Sequence, residues 1–343
     1  MAARRKRRFP WADLPLKRLL EIRLCDLGLT LENTWVAPLV EQVRGELADR
    51  DLLIRPHFWL SDEWFSPGGV PGVAIPFYLV HPRLLRVERS VMLQVEGGTR
   101  GQCLAILRHE LGHAVQHAYQ LHRSRPWQRH FGLSSTPYPD SYRPNPASRE
   151  YVLHLDAWYA QSHPDEDFAE TFAVWLTPRS NWPRRYRGWP ALKKLEFVDE
   201  LMTDLAGVPP AVRTRRRVDP LPQLRSTLLT YYRAKRERYS PGFTDMYDKD
   251  LLRLFSSSPR HRNQPTAASF LRRHRQDIRE IVAKWTGEYR FTLDQVLKQM
   301  IGRCRELRLR AVGSERQLKL DFAILLTMHT TTYLYRGREW HTL

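Results

Sequence analysis

The chain has 343 residues, 42% hydrophobic and 27% charged, a balance that fits a soluble folded protein of one large or two ordinary domains and excludes wholesale disorder. No apolar run approaches the roughly 18 residues that a bilayer-spanning helix needs, so neither a helical span nor a membrane partner is expected. The net charge of +18 is concentrated: residues 211–343 hold 28 Lys and Arg against 13 Asp and Glu, whereas residues 9–210 hold 22 against 24.

In chain order, residues 1–12 read as a flexible basic tail led by Arg4, Arg5, Lys6, Arg7 and Arg8. Pro10, Asp13, Lys17 and Arg18 stand where a signal peptide would carry its apolar segment, so export by that route is not expected. A short helix leading into a strand is expected over 14–24. Helical spacing of Val36, Leu39, Val40, Val43 and Leu47 predicts a helix over 36–47, and a strand is expected over 52–60. Segment 66–76, with three glycines and three prolines, reads as a loop, and 90–95 as a strand closed by Gly97 and Gly98.

A helix then opens at Thr99, whose hydroxyl can cap it while Gln102 reaches back; Leu104, Ile106, Leu107, Leu111 and Val115 are its apolar positions. Segment 123–149 is rich in Pro, Ser, Tyr and Arg without periodicity, a long excursion of the kind that tends to serve function. A second helix opens at Ser162, with Pro164 in its first turn and Asp165, Glu166 and Asp167 near its positive end. Phe168, Phe172, Trp175 and Leu176 form its buried stripe, Pro178 stops it, and another helix is expected over 190–205. Beyond Pro209 and Pro210, helices are expected over 221–239, 267–286 and 292–309. The expected organisation is a tail (1–12), an α+β domain (13–210) and a basic, mainly helical region (211–343). Cys25, Cys103 and Cys304 lie far apart in no metal-ligand spacing, which suits a reducing cytoplasm.

The sharpest signal is His109-Glu110-Leu111-Gly112-His113. Residues four apart share one face of a helix, so both imidazoles can bind one zinc ion while Glu110 faces the water that such an ion activates, as its general base. A catalytic zinc site takes three protein ligands. Tyr119 stands where a metzincin would carry its third histidine, and His117 cannot converge on the same ion from a third consecutive turn of a straight helix. The better candidates are Glu166 and Glu170 on the acidic helix, one turn apart: one can ligate the metal and the other can hold the free N–H of a ligand histidine.

H-E-x-G-H followed by E-D-F-A-E-T-F resembles the gluzincin metallopeptidases, and more closely a bacterial group described as putative zinc-binding metallopeptidases, with the helix signature of the lethal-factor type of protease. The resemblance spans roughly residues 15–206. It implies a zincin-like fold, Glu166 as third zinc ligand, Glu170 as the group behind a ligand histidine, and Tyr159, seven residues before Glu166, as a catalytic hydroxyl facing the reacting carbonyl. The expectation is a cytoplasmic zinc peptidase acting on a peptide or protein, with the 90–95 strand at the rim of its site to receive an extended substrate. The basic region offers an electrostatic footprint for nucleic acid or an acidic protein. A DNA-tethered protease, a metal-sensing regulator and a protein using zinc only as structure are the alternatives.

Overall fold

The computed structural model describes residues 9–139, 142, 144–239 and 247–335, so the basic cluster at 4–8 lies outside the described residues. Contacts divide the chain into two compact units. Unit 1 takes in the chain through Ser90 and then Val95–Arg233; unit 2 takes in Val91–Gln94 and the described chain from Ala234. Residues 211–233, which the charge division groups with the basic region, therefore belong to unit 1.

Unit 1 is an α+β assembly in which helices outweigh a small sheet. Its elements are α1 (Leu16–Leu20), α2 (Ala37–Ala48), β1 (His57–Ser61), β2 (Gly72–Pro76), α3 (Pro82–Met92, its last two residues counted in unit 2), α4 (Arg100–Tyr119), α5 (Arg125–Phe131), α6 (Pro164–Leu176), α7 (Trp182–Arg185) and α8 (Ala191–Asp204); α9 (Leu228–Arg238) carries the chain into unit 2. β1 and β2 pair in parallel from His57 opposite Gly72 to Ser61 opposite Pro76, and all ten residues are buried. Burial on both faces is what parallel strands demand.

Several expectations are corrected. The 66–76 loop contains β2, because the three residues between Gly72 and Pro76 are apolar and fully buried. The strand expected over 90–95 is absent: α3 runs to Met92, since the buried Leu84, Val87, Glu88 and Met92 follow a helical period that a window opening at residue 90 cuts through. The strand over 52–60 begins only at His57, and segment 14–24 leads into a short 3₁₀ turn, Leu24–Leu27. The excursion over 123–149 contains α5, capped by Ser124.

Thr99 caps α4 by accepting from the Gln102 N–H. From Cys103 to Ala118 that helix is almost wholly buried, so it is a central element rather than a surface one. On one side the Arg108 guanidinium grips Glu46 of α2 in a buried two-pronged ion pair at 2.7 and 2.8 Å. On another it packs against α6. Gly112 makes that contact possible: a Cβ there would lie 2.7 Å from the Ala169 Cα. Behind α6 stand α5, whose Trp127 and Phe131 rings meet Phe168, and α8, whose Asp199 accepts from Trp175 Nε1 at 2.7 Å.

Unit 2 adds α10 (Asp248–Leu254), α11 (Ala267–Arg273), α12 (Arg275–Thr286), α13 (Arg290–Glu306) and α14 (Glu315–Tyr335). The 267–286 helix is broken at His274, and α10 and α14 were not expected as helices. Leu251, Phe255, Leu271, Ile278, Leu297 and Phe322 centre its own hydrophobic core. Part of its basic excess is paired internally: Arg275, Arg279 and Lys298 surround the buried Asp294, and Arg303 grips Asp248 and Glu306. No helix among the described residues is long and apolar enough to cross a membrane.

Candidate metal centre

The α4–α6 contact fixes the site. His109 and His113, one turn apart, face α6, and Glu166 in the first turn of α6 faces them. His109 Nε2 lies 3.2 Å from His113 Nε2 and 3.1 Å from Glu166 Oε2, and His113 Nε2 lies 3.2 Å from the same oxygen. Tetrahedral zinc with ligand bonds near 2.0–2.1 Å sets its ligand atoms about 3.3–3.4 Å apart, so this triangle fits one small divalent ion. Among the described residues no other trio of His, Cys, Asp or Glu closes on a common point.

Glu170, one turn along α6, takes a different position. Its Oε1 lies 2.8 Å from His109 Nδ1, and its Oε2 accepts from the Leu155 N–H at 2.8 Å. A carboxylate only accepts, so Nδ1 carries a proton and Nε2 is the nitrogen left to face the triangle. Three electron-rich atoms thus meet in a buried place that calls for a positive charge at its centre.

The electrostatics say the same. Burial opposes charge on His109 and His113, but Glu166, with Glu170 at His109, outweighs it and holds both imidazoles above their ordinary range, His109 well above. Burial alone would raise Glu166, yet His113 and His109 hold it well below the usual carboxylate range. Glu110 is buried beside the triangle, and among the described residues nothing donates a hydrogen bond to its Oε2. Burial pushes its carboxyl up, only partly offset by the two histidines.

Tyr159 stands in a 3₁₀ turn, Asp156–Gln161, that the Glu170–Leu155 bond ties to the site. Its ring centroid is 5.6 Å from that of His109. Burial, reinforced by Glu166, raises its hydroxyl well above the ordinary value, so it stays a protonated donor. Trp158 just before it sits at φ 52°, a left-handed conformation that costs energy and is common at functional sites. His117 is not part of the triangle; burial lowers its pKa to about 4.

Two features escaped the sequence reading. Tyr138 donates from its hydroxyl to Glu166 Oε1 at 2.7 Å and stacks on His163 at 3.7 Å. His163, rather than Ser162, caps α6: its Nδ1 accepts from the Asp165 N–H while its Nε2 reaches Thr136 O at 2.7 Å. Asp165 binds Gln116 of α4 and Ser134 at 2.8 and 2.9 Å. Segment 134–138 is thereby tied to the start of α6 at three points. Its only advance sign was the length and tyrosine content of the excursion.

Residues 97–180 match the family described as putative zinc-binding metallo-peptidase. The matched region runs from just before α4 to just after α6 and so contains all the residues described above. No curated protein and no solved structure matches the chain.

Proposed function

We propose that the protein is a gluzincin-type zinc metallopeptidase that hydrolyses peptide bonds. The observation that carries this reading is the closure of His109 Nε2, His113 Nε2 and Glu166 Oε2 to within 3.2 Å of one another across two helices. His109, His113 and Glu166 would hold the ion. When bound, zinc supplies Lewis acidity, polarising a carbonyl and making water nucleophilic near neutral pH.

The chain's own groups do the rest. Glu110 takes the proton of the attacking water at its free Oε2 and passes it to the leaving amine. Tyr159, held protonated by its surroundings, donates to the oxyanion that develops on the scissile carbonyl. Glu170 keeps His109 in one tautomer and anchors the turn that carries Tyr159. A cytoplasmic setting suits three free thiols, Cys25, Cys103 and Cys304.

The test is to measure zinc content and then compare cleavage products in a cell lysate treated with wild type and with Glu110→Gln. We expect about one zinc per chain in both proteins and cleavage only by the wild type, because the variant loses the base and keeps the ligands. Metal lost from Glu110→Gln, or cleavage retained by it, overturns the assignment.

A further inference from the structure

Arg213, Arg215, Arg216 and Arg217 form the first basic cluster of the last third of the chain, yet they lie on unit 1. Val212 N–H donates to Ala118 O at 2.9 Å, and His57 Nε2 meets Arg216 O at 2.7 Å. A groove of about 920 Å³ is formed by this segment, the chain leading into β1 and the end of α2. Arg44, Arg55, Arg213 and Arg215 line it, against Asp51 as the one acidic lining residue among those described. Arg55, Arg213 and Arg215 are exposed, and Arg44 shares its charge with Glu41 at 2.6 Å. Arg213 is also oriented, its Nε donating to Pro210 O at 3.1 Å.

Apart from Thr214 the rest of the wall is apolar: Ala48, Leu52, Leu53, Ile54, Val212 and four prolines, with Leu53 left 50% exposed. Among the described residues no aromatic ring lines the groove. Single-stranded nucleic acid is gripped by stacking bases on such rings, and phosphates gain nothing from an apolar wall. A peptide with alternating acidic and apolar side chains suits both the arginines and the wall. The groove is also tied to the metal centre. Ala118 stands five residues beyond His113 on α4, about 7–8 Å along the helix axis.

We infer that this groove is an exosite for an acidic, partly apolar segment of a protein substrate, an inference that rests on the peptidase reading for the word substrate and on the groove alone for the binding. Binding can be read without turnover. Full-length Glu110→Gln protein is titrated into a fluorescein-labelled decapeptide of alternating Glu and Leu at low salt, and the titration is repeated with Arg213→Glu/Arg215→Glu added. A third protein carries Arg260→Glu/Arg262→Glu, the same charge change on exposed arginines of unit 2.

The expected result is binding that weakens at least about tenfold in the groove variant, is unchanged in the unit 2 variant, and falls with added salt as exposed charges are screened. Arg55→Gln, on another part of the groove wall, should weaken binding without reversing any charge, which covers the case in which the double variant fails to fold. Equal loss in the unit 2 variant, undiminished binding in the groove variants, or equal competition by an oligothymidylate of the same charge would each overturn the exosite. Failure of the peptidase reading shows separately, as peptide binding intact in a wild type that cuts nothing.

Discussion

One helical turn separates two glutamates that the motif alone left interchangeable. Glu166 meets the Nε2 atoms of both histidines and Glu170 meets the Nδ1 of one, so on the proposed peptidase reading the two would do different work. Two tyrosines divide in the same way. Tyr138 occupies the second oxygen of Glu166, leaving the other for the triangle, whereas Tyr159 lies beside the His109 ring and has no hand in holding the carboxylate. Tyr138→Phe should therefore weaken zinc by about 10- to 100-fold in a chelator competition, the usual cost of losing a partner behind a metal ligand. Tyr159→Phe should leave zinc affinity unchanged and lower kcat by about 100- to 1000-fold, the loss typical of one oxyanion donor. If Tyr159→Phe loses zinc, or Tyr138→Phe binds it as tightly as the wild type, the two roles are wrongly divided.

Among elements, the crossing of α4 and α6 carries the site, and it turns on one small residue. Gly112 in a buried helix is a poor choice by propensity: alanine would favour the helix by about 1 kcal/mol. Yet the added Cβ would sit 2.7 Å from the Ala169 backbone, and forcing atoms into a packed contact costs about 1–3 kcal/mol. The contact should win, because Ala169 presents backbone that cannot swing aside. Gly112→Ala should lower stability to urea and weaken zinc, as α6 is pushed away with Glu166 on it. A variant more stable than wild type with full zinc affinity would show that the helices are not in close contact. The same crossing explains what could be read in advance. α4 announces itself through its Thr99 cap, α6 through Pro164 and the acidic residues of its first turn, and both through dense apolar spacing, while the fixed geometry of a helix turns H-E-x-x-H into a shared face without knowledge of the fold. β2 was hidden because three apolar residues between glycine and proline are too few for a period to show. Tyr138 was hidden for a different reason: its place depends on Ser134 meeting Asp165 and on Thr136 meeting His163 across a long connection, and no local pattern records contacts of that kind.

For the molecule as a whole, the division into units gives the metal centre an address. All of the ligand candidates, Glu110 and the two tyrosines belong to unit 1, while unit 2 holds a separate hydrophobic core around Leu271, Ile278 and Phe322. An ion that binds only folded unit 1 stabilises that unit by mass action, about 4 kcal/mol when free zinc is a thousandfold above its dissociation constant. In a unit of this size each kcal/mol moves a melting midpoint by about 2–4 °C, so removing the ion should lower one transition by roughly 8–16 °C. The second unit has no share in the site and nothing to lose from a chelator. Calorimetry of the full chain, with zinc and then with an excess of chelator, should show one transition falling and another holding its midpoint. Equal movement of both transitions would mean that the units unfold together, and no movement of either would mean that the triangle of His109, His113 and Glu166 does not hold a metal strongly enough to matter for the fold.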